Sequence, residues 1–425
     1  MDDTIFLQFY NRTKGGYFDL CNGFSDTHEL CKSKGDFYWT EHELDRAKWY
    51  LNETYANRKL PINKGTIYIS AIYMNHLYQA YIWAKEYPNI RFIVGGPIAA
   101  ERRIDGKRWN PVYLKVNRYD MLPSNLVITG RSVEDWFNVL NFSGKWKLDV
   151  PEFVPNDSNV YFSYTLDNGC YWSKCVFCNI AIHAKEVFRK RRDMKYEFKD
   201  IDHDGHKIVR LNTGSITTKY IRDVLPELPL RDDMEYRLFM RPAKAENRAL
   251  KEVLNKCGDE FPKLVLGFGM EFPTNRMLRY IGKGADTDEV LAFLHLCHGN
   301  KIHINANFIL GWNNLIENDI RELENFMDNV PENSITTFQM RWLMAHPYTK
   351  IHDTYEGKAI ELGPFYEGFR TKINEKQMGL NKEAGDIICH YSRIKHYKVE
   401  GMVNIRKHLD KNNDVSLQEM KTSNL

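Results

Sequence analysis

Six apolar runs of strand length, at 159–165, 207–212, 235–240, 263–270, 303–310 and 335–343, alternate with amphipathic stretches of helix length. Few folds accommodate that order. A strand covered on both faces reads as continuous apolar sequence, and a helix between successive strands supplies the crossover that parallel neighbours need. The alternation therefore predicts an α/β fold with a partial (β/α)6 barrel. In such barrels the loops after the strands converge at one mouth, where ligands bind. The residues at those loops are a cysteine-bearing segment after 165, Asn212-Thr213-Gly214-Ser215, Arg241-Pro242, Glu271, Gly311-Trp312 and Ala345-His346-Pro347. They are small, polar or charged where the preceding runs are apolar.

The first of these loops holds Cys170, Cys175 and Cys178, three of the eight cysteines of the chain, within nine residues. Three thiolates on a tight loop hold a [4Fe-4S] cluster by three irons and leave the fourth without a protein ligand, open to chemistry. The same thiolates with His183 also make a Cys3His set for tetrahedral zinc, which predicts a structural binding module instead. Local spacing leaves both open. Gly169 gives the entry turn backbone freedom, and Phe177 precedes the last cysteine.

Composition limits the classes to consider. With 425 residues the chain is long enough for two domains, and 43% apolar and 13% aromatic residues supply full cores. A net charge of +3 gives no global positive field, so general nucleic-acid binding is not expected, and Arg189-Lys190-Arg191-Arg192 reads as a solvated helix start. No apolar run approaches a membrane span, Met1-Asp2-Asp3-Thr4 does not open like a signal peptide, and Cys21, Cys31, Cys257, Cys297 and Cys389 form no disulfide framework. A cytoplasmic, reducing location is expected.

Residues 1–150 have a separate pattern: strands at 4–10, 65–73, 90–94 and 126–129, a helix at 75–86, and turns at Gly95-Gly96-Pro97 and Gly130 to Glu134. Strands that run into glycine turns suit a doubly wound, Rossmann-like sheet with a ligand at the strand carboxyl ends. Domains are thus expected at 1–150, 151–350 and 351–425. The last carries Gly363 to Phe369, a helix over 382–407 and a polar tail at 410–425. Phe365, Tyr366 and Phe369 read either as a cover for the open side of the barrel or as core packing. Cys389 and His390 read as ordinary helix residues.

Together these segments resemble the radical S-adenosylmethionine (SAM) superfamily. The cysteine loop is similar to its C-x3-C-x-aromatic-C loop, with one additional residue between Cys170 and Cys175. Gly269-Met270-Glu271 followed by Leu278 and Lys283-Gly284 resembles the fourth-strand region, 307–312 the fifth strand with its glycine, and Pro347 to Thr349 the turn after the sixth. The resemblance implies a [4Fe-4S] cluster on Cys170, Cys175 and Cys178, with the SAM amino and carboxylate groups on the open iron and an external electron donor of flavodoxin or ferredoxin type. It implies SAM contacts from Phe177, Asn212, Thr213, Gly214, Ser215, Arg241, Glu271, Ile309 and Gly311. The residues alone also allow Glu271, Thr213 and Ser215 to cap helices, and Arg241 to anchor a neighbouring carboxylate.

The N-terminal half resembles the cobalamin-binding domain found before many such barrels, which implies corrin contacts from Gly95, Gly96, Pro97, Gly130 and Glu134. The histidine-on-cobalt signature is incomplete: Asp26-Thr27-His28 has Cys31 where glycine is required, so His28 is expected at the surface. The function implied is a radical SAM enzyme, with cobalamin a C-methyltransferase, and without it an isomerase, cyclase or lyase. The substrate is a small molecule, a peptide or a nucleotide.

Overall fold

The computed structural model describes residues 4–12, 18–20, 39–44, 47–53, 60, 62–71, 74–95, 102–104, 107–109, 121–129, 161–165, 170–178, 208–347 and 349–401. Gly96, Pro97, Gly130, Glu134, His28, His183 and the segments 189–192 and 410–425 lie outside them. The chain forms two compact units, one of 1–165 with 204–208 and 359–367, the other of 166–203 with 209–358 and 368–425. No helix among the described residues is long and apolar enough to cross a membrane.

The first unit contains β1 (Thr4–Arg12), β2 (Phe18–Leu20), β3 (Trp39–Leu44), β4 (Ala47–Glu53), β5 (Gly65–Ser70), α1 (Met74–Glu86), β6 (Ile90–Gly95), β7 (Arg102–Ile104), β8 (Lys107–Trp109), β9 (Leu126–Ile128) and β10 (Tyr161–Thr165). Its main sheet runs β3-β4-β1-β5-β6-β9. From β4 to β9 every neighbouring pair is parallel, while β3 closes the edge antiparallel. Counted along the chain, the parallel strands stand in the spatial order 2-1-3-4-5. That is the flavodoxin-type order, whose ligand crevice lies where successive connections leave in opposite directions, between β1 and β5.

Burial explains why this half reads as alternating strand and helix. Ile67, Ile69, Phe92 and Val94 from the sheet pack with Leu77, Ala80, Trp83 and Ala84 of α1, all within a few per cent of full burial. The Asn125 side-chain amide lies 2.8–3.1 Å from the carbonyls of Ala84, Tyr87 and Ile90, so one residue closes the end of α1 and the start of β6. His76, on the same helix, is wholly buried, and desolvation lowers its pKa from 6.5 to about 3. Between those values the unfolded chain binds the extra proton, so stability present at neutral pH is lost as the pH falls. The expected slope is up to about 1.4 kcal/mol per pH unit. Acid melts of His76→Gln should be flatter than wild type; equal slopes would remove His76 as the cause.

The second unit carries β11 (Ile208–Asn212), α2 (Thr218–Asp223), β12 (Glu235–Phe239), α3 (Lys244–Cys257), β13 (Leu264–Glu271), α4 (Asn275–Ile281), α5 (Thr287–Gly299), β14 (His303–Leu310), α6 (Glu317–Asn329), β15 (Thr337–Trp342), β16 (Met344–Ala345), α7 (Glu375–Ile394) and β19 (Lys398–Glu400), while β17 (Gly357–Leu362) and β18 (Phe365–Thr371) are divided, since their stretch 359–367 belongs to the first unit. The sheet order is β11-β12-β13-β14-β15-β19, and the neighbours from β12 onward are parallel. Seven of the eight residues of β13 are buried, as a strand covered on both faces requires. Each covering helix contributes a stripe: Ala249, Leu250, Val253 and Leu254 from α3, and Ile320, Leu323, Phe326 and Met327 from α6.

The six strands expected from the sequence form, with ends shifted by two residues or fewer. The C-terminal segment needs correction. The helix expected over 382–407 is α7, which begins at Glu375 because the Asn374 side chain caps it by accepting from the Gln377 amide. It stops at Ile394, where His396 turns to φ 60 and the chain enters β19 on the edge of the sheet. Gly363 to Phe369 is the turn and second arm of a β17–β18 hairpin, and Phe365 is a fully buried member of the first unit's core.

Candidate functional site

The cysteine loop is held by contacts that none of its cysteine side chains makes. The Trp172 indole donates to the Gly282 carbonyl at 2.7 Å, and the Val176 amide to Ile281 at 2.9 Å. Phe177 meets the wholly buried Trp312 edge to face, with centroids 6.0 Å apart. The residue in excess of the usual spacing is absorbed at Ser173, whose φ is 50 and whose hydroxyl bonds back to the Cys170 carbonyl. Cys170, Cys175 and Cys178 are partly buried and in no disulfide. Burial is the main reason the Cys175 thiol is pushed up to about 12, with Lys283 pulling the other way.

The partner surface is the turn after α4, built as a Schellman cap. Gly282, at φ 76, donates to Arg279, and Lys283 donates to Leu278, so the helix ends with its last carbonyls satisfied. Gly284, at φ 67, comes next, and a Cβ there would stand 2.1 Å from the Trp172 ring. Gly284→Ala should therefore cost about 1–2 kcal/mol for the left-handed backbone and about 1–3 kcal/mol for crowding. A lower melting temperature with shifted Trp emission is expected; wild-type melting would mean that the ring moves freely.

Arg241, just past β12, stacks its guanidinium on Trp172 at 3.8 Å and donates to Glu246 at 2.8 Å and to the Gly284 carbonyl at 3.0 Å. Tyr171 donates to the same Glu246 carboxylate. The Arg241 fork is thus engaged by Glu246, a buried side chain on α3, rather than left open for a ligand carboxylate. Desolvation lowers the Arg241 pKa and raises that of Glu246. The Arg241 reading as an anchor for a neighbouring carboxylate is the one this geometry matches.

Glu271 ends β13 at φ 59, in the left-handed region where a non-glycine residue is uncommon. Its strand slips register against β14 between Gly269 and Glu271. The bulge turns the carboxylate back over Gly269, where a Cβ would stand 1.8 Å from Oε1. Oε1 accepts from Lys283 Nζ at 3.1 Å, and both side chains are almost buried. Glu271 does not cap α4, because Thr274 does. Desolvation pulls the Lys283 pKa down, but Glu271, Cys175 and Cys178 outweigh it and the net shift is upward.

At the other strand ends, Thr213 accepts from the Ser215 amide at 3.3 Å, and the Ser215 hydroxyl is buried without a hydrogen-bond partner among the described residues. Neither caps α2, whose cap is Thr217. Gly311, at φ 93, donates to Asn381 at 2.7 Å and accepts from Thr371 at 2.7 Å, so its turn is fixed by α7 and β18; Ile309 precedes it on β14. In the first unit Gly95 closes β6, and Ala71 donates to its carbonyl at 2.8 Å.

No family model and no curated protein matches the chain. Among solved structures 35 chains match. One is the radical SAM methyltransferase TsrM from Kitasatospora setae with cobalamin and a [4Fe-4S] cluster bound, 10% identical over 90% of this chain and 91% of that one, with a TM-score of 0.53. The chain has the radical SAM fold. A second TsrM structure, with tryptophan substrate and the SAM analogue aza-SAM, gives 10% identity, coverage of 90% and 89%, and a TM-score of 0.52. The cobalamin-dependent radical SAM enzyme OxsB is 14% identical over 77% of this chain, which spans only 52% of OxsB, with a TM-score of 0.47. Between them the TsrM structures hold cobalamin, a [4Fe-4S] cluster and an analogue of SAM, matching the three cofactors to which the sequence points.

Within the radical SAM fold the site suits a cubane by its donor set: three thiols in no disulfide on one loop, a buried ammonium whose charge reaches two of them, and at a neighbouring strand end a buried hydroxyl without a hydrogen-bond partner among the described residues. Among the described residues no three His, Cys, Asp or Glu side chains gather as ligands of one metal ion. A cubane asks for a different arrangement, one thiolate for each of three irons, with the sulfurs held apart. Two features escape a reading of the sequence. The Arg241–Trp172–Glu246 clamp joins residues up to 74 positions apart, and Lys283 carries its charge to the thiols only because the Schellman turn places it there.

Proposed function

We propose that this chain is a radical SAM enzyme whose Cys170, Cys175 and Cys178 hold a [4Fe-4S] cluster. The observation that carries the reading is the cysteine loop clamped against the α4 turn at the carboxyl ends of the parallel strands, beside a buried lysine. When bound, the cluster supplies one-electron cleavage of SAM to methionine and a 5′-deoxyadenosyl radical, and cobalamin supplies a transferable methyl group.

The chain's own residues bind and orient. Ser215 offers a buried hydroxyl with no hydrogen-bond partner among the described residues, and Thr213 and Gly214, just after Asn212 ends β11, bring a hydroxyl and backbone to the same edge. Glu271 presents a carboxylate whose Oε2 is not used by Lys283, suited to ribose hydroxyls. Ile309 and Gly311 form an apolar, close-approach surface for adenine, and Phe177 shields the loop. Arg241 holds the loop through Trp172.

The reaction proposed is C-methylation of a small molecule, with cobalamin on the first unit and an external one-electron protein donor. The flavodoxin-type strand order, with Gly95 at the carboxyl end of β6 beside β5, supports the cobalamin reading. Anaerobically reconstituted protein, given SAM and dithionite, should yield 5′-deoxyadenosine by mass spectrometry, and added cobalamin should enable methyl transfer to an acceptor. Stoichiometric zinc without iron or deoxyadenosine would reverse the assignment. Deoxyadenosine with no corrinoid bound would retain the radical chemistry and remove methylation.

A further inference from the structure

Among the described residues Lys283 is a buried cation with few partners. Its side chain is 11% exposed, its ammonium has three N–H donors, and among the described residues it finds one acceptor, Glu271 Oε1 at 3.1 Å. Burying a lysine and a glutamate with a single hydrogen bond costs more in desolvation than so loose a pair returns. The surroundings show no accident of packing. The Schellman cap sets the Lys283 backbone, the Ile281 and Gly282 carbonyls tie that cap to the cysteine loop, and Gly269 has no side chain to obstruct the ammonium, since a Cβ there would stand 2.5 Å from Nζ. Among the described residues the other groups whose charge reaches Lys283 are Cys175 and Cys178 when they are thiolates, as they are when they ligate iron.

We propose that Lys283 is the charge partner of the cluster, donating to its Cys175 and Cys178 side and offsetting negative charge there, with Glu271 as the counterweight that limits the effect. The inference rests on the cluster assignment above. A nearby cation favours an added electron on an anionic centre, so Lys283 raises the reduction potential, and Glu271 lowers it. Arginine would keep the charge, and methionine would keep much of the volume without it.

The test is an electron paramagnetic resonance titration with dithionite and mediators, without SAM, on anaerobically reconstituted full-length protein whose iron, sulfide and thermal melt are measured first. Lys283→Met is expected to retain the cluster and to reduce at least tenfold less favourably, a shift of 59 mV to more negative potential for one electron. Lys283→Arg is expected to stay near wild type, and Glu271→Gln to move to more positive potential. A purely structural pair predicts no such opposition of sign. Wild-type potentials in Lys283→Met and Glu271→Gln would overturn the proposal. Should Lys283→Met hold no cluster, Glu271→Gln decides alone: a positive shift supports the proposal, and no shift overturns it. Wild-type protein that takes up no iron and sulfide fails the cluster assignment itself, visible before any potential is measured, and the proposal falls with it.

Discussion

Cys175→Ala is expected to take 5′-deoxyadenosine formation below detection and to prevent assembly of a complete cluster, while the metal-free protein melts within about 1 kcal/mol of metal-free wild type. Each cysteine serves one iron, so loss of one thiolate leaves a two-point attachment, which a cubane does not survive as a defined species. The loop keeps its shape because other groups hold it. Trp172 and Val176 are hydrogen-bonded to the α4 turn, Phe177 rests on Trp312, and Ser173 closes on Cys170. Without metal the Cys175 side chain contributes packing as a protonated thiol, since burial pushes its pKa to about 12.

The zinc reading predicts a different pair of results. In a structural zinc module the metal's binding energy is folding energy, so the variant would lose stability together with its metal. Calorimetry of wild type and Cys175→Ala, each with and without reconstitution, separates the two. A melt that collapses in the variant, with zinc in the wild type, would sink the radical SAM assignment.

What the sequence makes legible follows from the kind of force involved. The strands of the second unit appear as apolar runs because each is buried on both faces, and β13 is the clearest case. Four of the five parallel strands of the first unit, β1, β5, β6 and β9, are likewise visible as apolar runs, and the last two lead into glycine. By contrast β3 and β4, Trp-Thr-Glu-His-Glu-Leu and Ala-Lys-Trp-Tyr-Leu-Asn-Glu, carry too many polar residues to declare themselves, and their two-residue connection holds Asp45 and Arg46, not a glycine signal. The strand β19 is three residues long and is strand only because β15 offers an edge.

At the site, the cysteines, Glu271 and Ser215 are legible as residue types in suitable loops. The partners that decide their behaviour are not. That Arg241 is engaged by Glu246, that Thr217 and Thr274 rather than Ser215 and Glu271 cap the helices, and that Phe365 lies in the first unit's core depend on distances the chain sets only when folded. Local pattern reports burial and turns; it does not report which charges meet.

The strongest such meeting predicts the largest stability effect. Asp319→Ala is expected to destabilise the second unit by about 2–3 kcal/mol, less than for breaking a fully buried ion pair because the Arg276 side chain is 35% exposed. For a unit of this size the melting temperature should drop on the order of 10 °C. Asp319 is wholly buried and accepts from Arg276 Nε at 2.9 Å, from the Thr274 hydroxyl at 3.2 Å and from the Ile316 amide at 2.9 Å. It therefore serves the starts of α4 and α6 at once, and its removal leaves a guanidinium, a buried hydroxyl and a helix-start amide without their acceptor. Arg276, whose pKa Asp319 raises mainly through their hydrogen bond, retains the Asn314 carbonyl at 2.7 Å. For that reason the double variant Arg276→Ala with Asp319→Ala should cost less than the sum of the single changes. The site should feel the loss as well. Helix α4 links Thr274 to the Gly282–Gly284 turn that clamps the cysteine loop, so a loosened start displaces Lys283 and the carbonyls that receive Trp172 and Val176. Iron retention after reconstitution should thus fall in Asp319→Ala even at temperatures where the unit remains folded. A variant that melts within about 2 °C of wild type and holds its iron equally well would show that the carboxylate is replaceable by water.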